Sequence, residues 1–166
     1  MYEKIVVPLD GSKVGEAALP YVEDIVSKLS PEVKTEVVLL QVLAPASIPT
    51  VTGRTPDATP YTVQELEKTE KKAMEYLNQI GEALRSKGVT VTAKVVVGDA
   101  AEQIVEAAEE IDANLIAMST HGRSGFSRWA FGSVTDKVLR REGRIPIAMK
   151  RAHNTEKHQH ISLQTD

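Results

Sequence analysis

Five short apolar runs alternate with four stretches of helical period along this chain. The runs are Ile5–Leu9, Val37–Leu43, Thr90–Val97, Leu115–Ser119 and Ile145–Lys150. The first, second and fourth are almost unbroken in apolar residues, the pattern of strands covered on both faces. Thr62-Val63-Gln64-Glu65 and Asp99-Ala100-Ala101-Glu102 have the spacing of a capping box, in which side chains satisfy the free N–H groups of a helix start. After the first box, Leu66, Ala73, Leu77, Ile80 and Leu84 share one helical face, and Gly88 is placed to end the helix. After the second, Ala101, Ile104, Val105, Ala108 and Ile111 do the same. Ser12 is read as the cap of a helix over Lys13–Leu29, and Ser133 as the cap of one over Val134–Arg141.

Strands that alternate with helical crossovers predict an α/β fold, a doubly wound parallel sheet with helices on both faces. Pro146 lies within the last run, where proline is tolerated at a strand start or a sheet edge, so the fifth strand is expected at an edge. The pattern breaks over Ala44–Tyr61, which holds four prolines and no apolar period. That segment is read as a flexible insertion, either a plain surface loop or an arm over the site. Residues 1–151 are read as one domain, and 152–166 as a polar tail expected to be disordered.

Composition narrows the function classes. With 20 basic against 23 acidic residues the net charge is −3, which argues against a nucleic-acid binder held by phosphate contacts. The absence of cysteine excludes disulfides and thiolate metal sites. No signal peptide or membrane span is legible, so a cytoplasmic location is expected.

Ligands of open parallel sheets bind beyond the carboxyl ends of the strands, where strand order reverses. The residues to inspect are therefore Pro8-Leu9-Asp10-Gly11-Ser12, Gln41-Val42-Leu43 and Met118-Ser119-Thr120-His121-Gly122. The last group opens a Gly- and Ser-rich stretch that runs into a helix at Gly132-Ser133-Val134-Thr135. Glycines let backbone N–H groups approach an anion, and a helix start adds free N–H groups and the positive dipole end. Ser133 and Thr135 add hydroxyls, and Arg123 and Arg128 add charge. The same loop also fits a plain strand–helix turn. Neither G-x-x-x-x-G-K-[ST] nor an early G-x-G-x-x-G is present.

Ile5-Val6-Val7-Pro8-Leu9-Asp10-Gly11-Ser12 and Ser119-Thr120-His121-Gly122-Arg123-Ser124-Gly125, followed by Gly132-Ser133-Val134, resemble the universal stress protein family. ATP-binding members carry glycine, two residues, glycine, nine residues, then glycine with serine or threonine. Gly122, Gly132 and Ser133 match the later part of this motif, whereas Ser119 stands at its first glycine. A serine there is expected to put a side chain near the ribose or phosphate and to weaken or shift binding, so that Ser119→Gly strengthens it.

The resemblance implies a five-stranded sheet ordered 3-2-1-4-5, and a homodimer through strand 145–150. It places Asp10 at the adenine–ribose end beside Pro8, Val42 at the adenine through its backbone, and Met118 and Ser119 near base or sugar. Gly122, Gly132, Ser133, Val134 and Thr135 would hold phosphates, with His121 beside them. The expected ligand is ATP, with Mg²⁺ held through the phosphates. Other roles fit the residues as well. Asp10 can be a turn cap, Val42 and Met118 plain core residues, and His121 a loop-orienting group. Trp129 and Phe131 are read as loop anchors or interface residues, with base stacking as the alternative. No catalytic residue is assigned. The expected function is a nucleotide-dependent sensor or switch in the stress response, with slow or no hydrolysis. The alternatives are a dimeric interaction module that binds no nucleotide, and a weak ATPase or phosphotransferase.

Overall fold

The computed structural model describes residues 3–30, 32–45, 63–121, 133–141 and 143–152. Five parallel strands form one sheet in the order β3-β2-β1-β4-β5. They are β1 (Lys4–Pro8), β2 (Glu36–Leu43), β3 (Thr90–Val97), β4 (Leu115–His121) and β5 (Ile147–Ala152). Between them run α1 (Leu19–Lys28), α2 (Val63–Arg85), α3 (Ala100–Glu110) and α4 (Ser133–Arg141).

Strand alternation sorts the core into two layers. Ile5, Val7, Val37, Leu39, Leu115 and Ala117 pack with Val22 of α1 and with Leu77 and Leu84 of α2. Val6, Val38, Leu40, Ile116 and Met118 face the other way, onto Ile104, Ala107 and Ala108 of α3 and Val138 of α4. Helices thus cover both faces, as the unbroken apolar runs of β1, β2 and β4 require. The edge strands β3 and β5 are less buried than β1, as edges are.

Several expectations shift by a few residues. β5 begins at Ile147, after Pro146, whose carbonyl accepts from the Ile116 N–H (3.0 Å). Proline supplies an acceptor but no donor, so it stands at the entry to the ladder. The expected Lys13–Leu29 helix is divided: a 3₁₀ turn over Gly15–Ala18 precedes α1, and Pro20 occupies its first turn. Ser12 still caps this start, since its Oγ accepts from the Gly15 N–H at 3.0 Å. α4 takes in Ser133 itself.

The Asp99 carboxylate caps α3 by accepting from the N–H groups of Ala101 and Glu102, both at 3.1 Å. Its hydrogen bond from the Glu102 N–H, and then that from Lys137 of α4, hold its pKa below the ordinary carboxylate value. α2 ends as expected at Gly88, whose φ of +82° suits glycine, while the Val89 N–H reaches back to the Leu84 carbonyl.

Candidate functional site

The carboxyl ends of β1 and β4 diverge at the point where strand order reverses, and a cavity of about 250 Å³ opens there. Its apolar wall comes from Leu40 and Val42 of β2, Met118 of β4 and Ile104 of α3. Asp10 and Gly15, from the segment after β1, form one rim, and Ser133, Val134 and Thr135 bring the start of α4 to another. The cavity therefore joins an apolar slot, a carboxylate and a helix N-terminus, features that suit a base, a sugar and an anionic group.

Of the sequence-predicted residues, Pro8, Asp10, Val42, Met118, Ser119, Ser133, Val134 and Thr135 line this cavity together. Gly122 and Gly132, the His121 side chain, Trp129, Phe131 and residues 46–61 lie outside the described residues. Leu9, from the stretch marked for inspection after the first strand, also lines it, whereas Gly15, Leu40, Ala100 and Ile104 were not expected there. Two of these carried a legible signal: Leu40 shares the face of Val42 by strand alternation, and Ile104 follows Ala100 by one helical turn.

Asp10 also does what its turn-cap reading required. Its Oδ1 accepts from the Ser12 N–H (2.9 Å) and the Ser12 hydroxyl (2.6 Å) while the residue stays exposed at the cavity rim. Gly15 makes this position possible, because a Cβ there would lie 2.5 Å from Asp10 Oδ1. Gly15→Ala should move the carboxylate and disturb its two bonds from Ser12, at a cost of about 1 kcal/mol in stability.

Ser119 lines the cavity as expected, and its side chain has a partner of its own. Alternation along β4 places it on the same face as Leu115 and Ala117, toward the 3₁₀ turn and away from the Met118 wall. Its hydroxyl donates to the Gly15 carbonyl at 2.8 Å.

A second polar contact holds the same turn from the α2 side. The Tyr76 hydroxyl donates to Glu16 Oε1 at 3.2 Å, and Lys13 donates to Glu16 Oε2 at 2.7 Å. Burial, then the charge and hydrogen bond of Glu16, then the charge of Asp10, push the Tyr76 phenol up from 10.0 to about 12. The folded value lies above the ordinary one, so this term is fully present below pH 10 and is lost as pH rises through about 12. Spectrophotometric titration of the wild type against Tyr76→Phe should therefore give a difference signal near pH 12; one centred near 10 would contradict the contact.

This arrangement defines a doubly wound α/β protein with a cleft at its topological switch point. A sequence profile of the universal stress protein family matches residues 1–142, and the chain belongs to that family. A universal stress protein of Methanocaldococcus jannaschii, MJ0577, is 28% identical over 163 residues, spanning 93% of this chain and 98% of that protein. The solved structure of MJ0577 superposes with a TM-score of 0.66 at 25% identity, covering 93% of this chain and 99% of the other. A universal stress protein solved in complex with cAMP has a TM-score of 0.61 at 19% identity, covering 90% of this chain and 97% of the other. One from Arabidopsis thaliana, solved with AMP bound, has 0.58 at 16%, with 95% of each chain covered.

Proposed function

We propose that this chain binds an adenine nucleotide, preferentially ATP, in the switch-point cavity and acts as a nucleotide-dependent sensor or switch with slow or no hydrolysis. The observation that carries the reading is the convergence of Asp10, Val42, Met118 and the Ser133–Thr135 helix start on one cavity. Leu40, Val42, Ile104 and Met118 form a slot for the base. Asp10 is placed to accept from ribose hydroxyls, and the N-terminus of α4 to meet phosphates. In this reading the motif residues Gly122 and Gly132, with His121, also serve the phosphates, as the family resemblance implies. Mg²⁺ is held through the phosphates; among the described residues no group of three or more His, Cys, Asp or Glu is placed to hold a metal ion. The solved relatives that hold cAMP and AMP support the ligand class.

The working unit in this reading is residues 1–151, paired as a homodimer. β5 has β4 as its neighbour, its other edge is open among the described residues, and Met149 is exposed, which supports pairing there. This open edge also favours a second reading, a dimeric interaction module that binds no nucleotide. No described helix is long and apolar enough to cross a membrane.

Calorimetric titration of nucleotide-stripped protein with Mg·ATP separates the readings. Saturable binding supports the sensor, whereas no heat up to about 1 mM ATP, an affinity weaker than about 4 kcal/mol, leaves the interaction module. In the same assay Gly15→Ala should lose about tenfold in affinity, the worth of one charge-assisted hydrogen bond, with the protein still folded at the assay temperature. Unchanged affinity would remove Asp10 from the site.

A further inference from the structure

The hydroxyl of Ser119 belongs to a chain of hydrogen bonds that ends on the Asp10 carboxylate. Ser119 Oγ donates to the Gly15 carbonyl (2.8 Å) across 104 positions of sequence. The Gly15 N–H donates to Ser12 Oγ (3.0 Å), and the Ser12 hydroxyl donates to Asp10 Oδ1 (2.6 Å). The Ser12 N–H adds a second bond to the same oxygen at 2.9 Å. Each hydroxyl therefore has a fixed direction: Ser119 gives its proton to Gly15, and Ser12 accepts from Gly15 while giving to Asp10. The bonds tie the end of β4 to the segment after β1, across the mouth of the cavity.

We propose that Ser119 is a positioning residue for sugar recognition, latching the turn that presents the Asp10 carboxylate to ribose hydroxyls. The inference rests on the nucleotide reading above and reverses the expectation that glycine at this position is better.

Three observations support it. Ser119 borders the cavity, but strand alternation sets its side chain on the face opposite Met118, and its hydroxyl is engaged by the Gly15 carbonyl. Its partner Gly15 cannot carry a Cβ without displacing Asp10, so the turn and the carboxylate are interlocked. A carboxylate offers about four lone-pair sites, and Ser12 uses two, which leaves capacity for sugar hydroxyls. Without Ser119 the turn keeps its bonds to Ser12 and its packing through Ala18, but loses its side-chain hydrogen bond from β4. Asp10 then samples more orientations, and its bond to a sugar hydroxyl weakens.

The test titrates nucleotide-stripped wild type, Ser119→Ala, Ser119→Gly and Ser119→Thr with Mg·ATP and with the Mg²⁺ complex of 2′,3′-dideoxy-ATP. Ser119→Ala and Ser119→Gly should each weaken ATP about tenfold, while their affinity for the dideoxy analogue changes by less than about twofold. Ser119→Thr retains a hydroxyl and should restore ATP affinity to within about threefold of wild type. Hydrogen exchange of the Gly15 amide should quicken in ligand-free Ser119→Ala, with the β4 amides unchanged.

Tighter ATP binding by Ser119→Gly, equal losses on both ligands, failure of Ser119→Thr to recover, or unaltered Gly15 exchange would each overturn the latch. Wild type that binds ATP beside unaffected variants rejects the latch alone. Wild type that binds neither ligand rejects the nucleotide reading and the latch with it.

Discussion

Ala100→Trp is expected to reduce Mg·ATP affinity at least about a hundredfold while leaving the protein folded. Ala100 is the first residue of α3, half-buried, and lines the cavity beside Ile104. Its neighbour Ala101 is the one turned into the core, so an indole at 100 enters the cleft rather than the packed layer. An indole at this position would occupy the apolar slot beside Ile104 that the nucleotide reading gives to the base. Losing the apolar slot removes base burial, and a loss of about 3 kcal/mol corresponds to that hundredfold. Asp99 still caps α3, and its contact with Lys137 lies outside the cleft lining. Calorimetry paired with a melting curve checks both halves of the prediction. Retained affinity would move the base elsewhere, and a collapsed melting transition would show that position 100 is structural.

Leu39→Ala should be the most damaging of the core truncations, costing about 3 kcal/mol. Leu39 is fully buried on β2 and belongs to the layer packed under α1 and α2. Its strand is bonded on both sides, by β1 and by β3, so the backbone has little freedom to close over a deleted isobutyl group. Chemical denaturation should show an earlier midpoint with an unchanged slope. A loss below about 1 kcal/mol would mean that this layer collapses around the void. Leu39 faces away from the cleft, whereas Leu40 and Val42 line it. Under native conditions nucleotide affinity should therefore stay close to wild type in the remaining folded protein.

The strands most legible in the sequence were those whose burial leaves no choice. Ile5, Val6 and Val7 have no solvent exposure at all, so β1 had to read as continuous apolar sequence. β5 was displaced by two residues because Ile145 and Pro146 look strand-like in polarity, while pairing begins at Ile147. The start of the first helix was less legible for a related reason. Ser12 is a genuine cap, yet Gly15–Ala18 winds as a 3₁₀ turn before α1 begins, a local geometry that apolar period does not encode.

Cavity-lining residues on strand ends were legible because parallel topology places the crevice at the switch point, and Asp10, Val42 and Met118 stand there. Gly15 was not, because its role is an approach to Asp10 of a few ångström that only the folded turn creates. Ser119 shows the limit of reading by motif position. Aligned to a glycine motif it looks like an obstruction, but strand alternation turns its hydroxyl to the opposite side and onto the Gly15 carbonyl. Counting alternation from Met118 gives the correct face.

Amide chemical-shift mapping during titration with Mg·ATP tests most directly whether the switch-point cavity is the nucleotide site. The account predicts saturable shifts concentrated at Leu9–Gly15, Val42, Met118–Ser119 and Ser133–Thr135, with the amides at the amino ends of the strands unmoved. Saturable shifts centred elsewhere, on β5 or along α2, would contradict it.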